Sequence, residues 1–182
     1  MQRRERTDEE LEWLFFLGVC VAGKQAYIIQ EKMKVFADGR TDLFAYIREL
    51  RAAGRFEARL REVKMGKYRI IQACFERLFE RDLDLRTCSL ANLEALPGIG
   101  PKTSRFFVGY SRPGSRVAIL DVHILRFLAE QGVENVPRQT PQSPKRYAEL
   151  EEEYLKIADR LEVDPTQLDD VLWKDRAKGD WT

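Results

Sequence analysis

Apolar positions recur with a helical period along most of the chain, broken by short polar turns. Thr7-Asp8-Glu9-Glu10 predicts an N-cap with acids in the first turn. The run that follows, Leu11 to Ala22, is so continuously apolar that it predicts a buried helix. Gly23-Lys24 interrupts it, and an amphipathic stretch runs from about Gln25 to Phe36. Residues 38–42, DGRTD, predict a turn, and Leu43, Phe44, Ile47 and Leu50 then repeat at helical spacing. Around Tyr68 to Phe79 the same spacing places Ile70, Ile71, Cys74, Phe75 and Leu78 on one face. Leu90, Leu93 and Leu96 lead into Pro97, and residues 111–115, SRPGS, form a turn cluster. A proline-rich loop over 137–144 precedes a long charged helix from about Lys145 to Leu161. Asp164-Pro165 opens a last short helix that ends near Trp173. Arg116 to Leu120 is the one strand candidate, and it is short. The expected fold class is all-α.

Composition narrows the class of function. A chain of 182 residues with 44% hydrophobic and 34% charged residues fits one soluble unit with a real core. The formal net charge is only +1, so any nucleic-acid contact has to come from a local basic face. Cys20, Cys74 and Cys88 are scattered, which argues for a reducing compartment and against a disulfide framework, an iron–sulfur cluster or a thiolate zinc site. The charged start shows no secretory signal, and no apolar run reaches membrane length. A cytoplasmic monomer without metal or cofactor is expected. His123 is the only histidine and reads as a helix-packing residue.

The densest chemistry lies in Leu96-Pro97-Gly98-Ile99-Gly100-Pro101-Lys102-Thr103-Ser104. Gly98 and Gly100 permit a tight turn, and Pro101 suits the first position of the next helix. Backbone N–H groups of Gly98, Ile99 and Gly100, with Thr103, at such a turn and helix start form a site for a phosphate oxygen. This is a helix–hairpin–helix pattern, of the kind that grips a DNA backbone without reading sequence. The plain alternative is an inter-helix turn. Asp121 follows Lys102 by 19 residues, at the end of the apolar run Val117 to Leu120 and within LDVHILRF.

LPGIGPKTS followed at this distance by LDVHILRF resembles the helix–hairpin–helix–Gly/Pro–Asp superfamily of DNA glycosylases. The C-terminal part, from Leu120-Asp121 through Ser143-Pro144-Lys145-Arg146-Tyr147 to Asp169-Asp170-Val171-Leu172-Trp173, is most similar to the compact 8-oxoguanine glycosylase/lyases of the second Ogg type. The resemblance implies a two-lobed helical fold with a DNA-binding cleft between lobes, and no iron–sulfur cluster. The lobes are expected at about 8–114, carrying the hairpin 96–104, and about 115–182 joined by the N-terminal residues. Double-stranded DNA containing a modified base is the implied partner.

The same resemblance implies that Lys102 and Asp121 face each other across the base pocket. A partly buried amine at a helix N-terminus is prepared for nucleophilic attack. Lys102 is thus expected to attack the sugar C1′, release the base and form a Schiff base that permits strand cleavage. Asp121 is expected to take the lysine's proton or to stabilise the cationic sugar, while capping the next helix. The plain alternatives are a phosphate clamp for Lys102 and a cap alone for Asp121.

Val21-Ala22-Gly23-Lys24-Gln25-Ala26 falls where the family has a turn near the gap left by a flipped nucleotide. Gln25 is expected to fill that gap and Lys24 to reach a phosphate; a capped, solvated turn is the alternative. Trp173 matches an aromatic that lies against the bound base, with Asp169 beside it; anchoring the last helix in the core is the alternative. The chain departs from the Ogg pattern at its end, where residues 174–182 read KDRAKGDWT and the family's terminal lysine is displaced or replaced. The target is therefore 8-oxoguanine or another modified base. Two further classes stay open: a base-modifying transferase on this fold, of the kind associated with phage thymine hypermodification, and a non-catalytic DNA-binding module.

Overall fold

The computed structural model describes residues 4–21 and 23–176, with side chains through Lys174. Ala22 and the residues after 176 lie outside it, and with them most of the segment 174–182 in which the Ogg-type lysine is expected to be displaced or replaced. Ten helices follow one another, and no strand occurs among the described residues. The first, α1 (Asp8–Val21), starts on a capping box. Thr7 Oγ1 accepts from the Glu10 N–H at 3.3 Å, and the Glu10 carboxylate accepts from the Thr7 N–H at 2.9 Å. Its apolar residues are buried nearly all round, because α2 (Ala26–Ala37), α3 (Leu43–Ala52), α5 (Tyr68–Glu80) and α7 (Pro101–Ser111) all pack on it. Phe15 meets Phe44, Phe75 and Phe107 edge to face at 5.7–6.0 Å, so one ring ties three helices to α1. Gly18 faces α7, and a Cβ there would meet the Phe106 ring at 3.4 Å, about van der Waals contact.

Three local expectations are corrected. Ile70 does not share the buried face of α5: Ile71, Cys74, Phe75 and Leu78 are buried, while Ile70 is 46% exposed and lies over Gly98. At 100° per residue it stands one step off the stripe that its neighbours form. The short α4 (Phe56–Glu62) was not foreseen, because Phe56 and Leu60 are its only buried positions in a charged sequence. Residues 116–120 form no strand; the Asp121 N–H turns back onto the Ile119 carbonyl at 2.6 Å, and the segment lies beside α9 (Pro144–Arg160), whose side chains bond its backbone.

Buried apolar residues form two clusters. One gathers α1 to α7, including α6 (Leu90–Glu94), and ends at Val117. The other begins at Ala118 and joins α8 (Val122–Glu130), α9 and α10 (Pro165–Arg176). The N-terminal residues contact α7 and the segment before α6: Arg6 Nε donates to the Tyr110 carbonyl at 2.6 Å, and Asp8 pairs with Arg86.

Candidate active site

A cleft of about 1060 Å³ opens where the two clusters meet. Its walls come from α1, the turn before α2, the hairpin, α7, the segment leading into α8, and α10. The hairpin forms as its residues dictate. Ser89 and Asn92 make a capping box at the start of α6, Gly98 turns at φ +81°, and Pro101 occupies the first turn of α7. Lys102, Thr103, Phe106 and Tyr110 then fall on one stripe of α7, and that stripe lines the cleft.

The cleft brings together Lys24, Gln25, Gly98, Gly100, Lys102, Thr103, Asp121, Asp169 and Trp173. Ile99 is the exception. Its side chain is buried in the first cluster, and its N–H closes the turn on the Leu96 carbonyl at 3.1 Å. That N–H is not available to a phosphate, so the backbone donors of the turn reduce to Gly98 and Gly100, which have no acceptor among the described residues.

Lys102 is exposed and has no hydrogen-bond or ion-pair partner among the described residues. The partial burial expected for it is absent, and desolvation of its amine would have to come from a substrate covering the cleft. Asp121 caps α8 as expected: Oδ1 accepts from the N–H groups of His123 at 2.8 Å and Ile124 at 3.0 Å. Its second oxygen has no donor among the described residues.

Lys24 is held inward. Its ammonium donates to the Met65 carbonyl and packs over Gly66, where a Cβ would come within 2.9 Å of Nζ. Burial lowers its pKa from the ordinary lysine value. Contact with a phosphate would require this bond to break. Gln25 is exposed at the N-cap of α2 and makes no capping bond. Trp173 is half-buried, stands edge-on to His123 at 6.3 Å and lines the cleft, outside the second cluster's buried core. His123 thus also faces the cleft, beyond the packing role expected of it.

Asp169 is 6% exposed at the cleft wall. Burial pushes its carboxyl up to about 7; Asp121 and Asp170 push the same way, while the Tyr110 hydroxyl and Lys102 oppose them. The Tyr110 hydroxyl lies 2.8 Å from Asp169 and 2.7 Å from Asp170, and burial keeps the phenol protonated. Tyr110, Phe106, His123 and Thr140 are cleft residues that the motif did not name. The signal for Phe106 and Tyr110 was present, at helical spacing from Lys102; nothing in the sequence places Tyr110 against two aspartates some 60 residues on. No group of three or more His, Cys, Asp and Glu side chains that could hold a metal occurs among the described residues.

Comparisons with curated proteins and with solved structures return no match. A family model described as 8-oxoguanine DNA glycosylase matches residues 16–163, from within α1 to just beyond α9, and covers the hairpin, Lys102 and Asp121. The chain belongs to the helix–hairpin–helix family of 8-oxoguanine DNA glycosylases, and is a DNA glycosylase of all-α fold.

Proposed function

We propose that this glycosylase is bifunctional: it releases a modified base from duplex DNA and cleaves the resulting site through a Schiff base on Lys102. One observation carries the reading. Lys102 and Asp121 line the same cleft, the amine without a partner and the carboxylate with one oxygen unused among the described residues. Bound DNA covers the cleft and strips water from the amine. The Lys102 nitrogen bonds to C1′ as the glycosidic bond breaks and the base leaves with the bonding pair. Asp121 stabilises the positive charge that develops on the sugar and accepts the lysine's proton. Ring opening gives a protonated Schiff base, whose electron-withdrawing pull permits loss of a C2′ proton and of the 3′-phosphate by β-elimination.

The Gly98 and Gly100 N–H groups and Thr103 hold the backbone beside the flipped nucleotide. Gln25 occupies the gap in the duplex, and Trp173 and Asp169 meet the extruded base. An 8-oxoguanine-type purine is the first target, on the strength of the family that the chain belongs to. The protein acts as a monomer. A panel of duplexes, each with one modified base, assayed separately for base release and for nicking, tests the reading. Asp121→Asn should lower base release by about 10²-fold or more, the scale typical of losing such a group. Release of no base from any duplex, or full release by Asp121→Asn, would overturn it.

A further inference from the structure

Lys102 stands on α7, whose Phe107 and Val108 belong to the first cluster, and Asp121 follows Leu120 of the second, so something has to fix the distance between them. The segment carrying Asp121 has no partner strand, and its backbone is held by side chains. Glu151 of α9 accepts from the Ala118 N–H at 2.8 Å. Tyr147 of α9 donates its hydroxyl to the Ala118 carbonyl at 2.8 Å and accepts from the Leu120 N–H at 3.1 Å. Leu120 is the residue immediately before Asp121.

Both α9 side chains are gripped by one residue of α7. Arg105 Nε donates to both Glu151 oxygens at 3.2 Å, a second guanidinium nitrogen reaches Glu151 at 3.1 Å, and the plane lies 4.7 Å from the Tyr147 ring centroid. Its remaining nitrogen pairs with Glu94 of α6, which also accepts from the Ser104 hydroxyl at 2.7 Å. Arg105 stands three residues after Lys102, one helical turn along. The side chains of Arg105 and Glu151 are each only 13% exposed. A charge network this far from water adds little net stability compared with apolar filling, whereas its directional bonds fix a single geometry.

Resting on the reading of Lys102 as the nucleophile, we propose that Arg105 is a positioning residue: through Tyr147 and Glu151 it locks the hairpin helix to the Asp121 segment and sets the lysine–aspartate geometry. It does not line the cleft. Its fork is what matters, since a lysine keeps the charge but cannot hold Glu151 through several donors while lying on the Tyr147 ring.

An abasic-site duplex tests this without knowledge of the target base. The rate of borohydride-trapped adduct formation is measured in single turnover at saturating protein, for wild type, Lys102→Gln, Arg105→Lys, Tyr147→Phe and the Arg105→Lys/Tyr147→Phe double variant. Duplex affinity and thermal unfolding are measured on the same samples. Arg105→Lys and Tyr147→Phe should each slow trapping about 10- to 100-fold, the scale of a small misplacement of reacting groups, with duplex affinity unchanged. The double variant should lose less than the product of the two, because both cut one linkage. Wild-type trapping rates in folded Arg105→Lys and Tyr147→Phe would overturn the proposal while leaving the Lys102 reading intact. A fully multiplicative double variant would overturn the linkage. Should Arg105→Lys not fold, Tyr147→Phe, which keeps the ring, carries the test. A wild-type protein that forms no adduct, or one trapped equally in Lys102→Gln, would overturn the reading of the nucleophile and this proposal with it.

Discussion

Asp169 shows how one side chain can set a pH dependence for the whole fold. Its carboxyl is raised from about 3.8 in the unfolded chain to about 7 in the folded one, mainly because burial disfavours the charge. The folded state therefore binds more protons than the unfolded state between those values, and stability falls as pH rises through that window. The cost is absent below about pH 4, complete above about pH 7, and at most about 4 kcal/mol. Asp169→Asn should then gain stability over wild type at pH 8 by more than at pH 5, as urea unfolding at the two values would show. An advantage that does not change with pH would mean the carboxyl is ionised throughout.

At the scale of elements, the hairpin depends on one close contact as well as on its turn. Gly98 adopts φ +81°, and a Cβ there would come within 2.3 Å of Ile70 Cγ2. Gly98→Ala should thus cost about 1–3 kcal/mol, from strained backbone and the clash together. Ile70→Ala in the same chain should recover the part due to the clash, which guanidinium unfolding of the two single variants and the double variant can separate. Equal losses with and without Ile70 would leave backbone strain as the whole cost. The helices carrying these residues were legible where apolar spacing was long: α1, α2, α3, α5 and α9 follow their pattern closely. The hairpin was legible from Pro97, Gly98 and Pro101, and the Asp121 cap from its place before an amphipathic run. Ile70 was misread because an exposed isoleucine serving as a lid on a glycine carries the same hydrophobic signal as a core residue. Ile99 was misjudged because the motif says nothing of which N–H closes its own turn. The strand candidate at 116–120 failed because its backbone groups bond the Tyr147 and Glu151 side chains in place of a ladder, and no local pattern distinguishes the two.

Across the whole molecule, the cleft gathers side chains from Leu14 to Trp173, and that assembly is a property of packing, with no local trace in the chain. The Lys102–Asp121 spacing signalled a pair; Tyr110 beside Asp169 and Arg105 beside Glu151 are long-range contacts that no spacing signals. The inward turn of Lys24 onto Met65 belongs to the same class. With a net charge of +1, duplex binding must rest on a few local contacts, so affinity should fall linearly on a log–log plot against salt. A nucleophilic Lys102 is aimed at the sugar, and Lys102→Gln should leave that slope unchanged; a slope shallower by about one would mark it as a phosphate clamp.

The most direct test of the central claim is to reduce the protein with borohydride on an 8-oxoguanine duplex and on an abasic one, digest the adduct and map the modified residue by mass spectrometry. The account predicts a single DNA-bearing peptide with the nucleotide remnant on Lys102, and no adduct in Lys102→Gln. An adduct on another amine, or one that persists undiminished in Lys102→Gln, would contradict it.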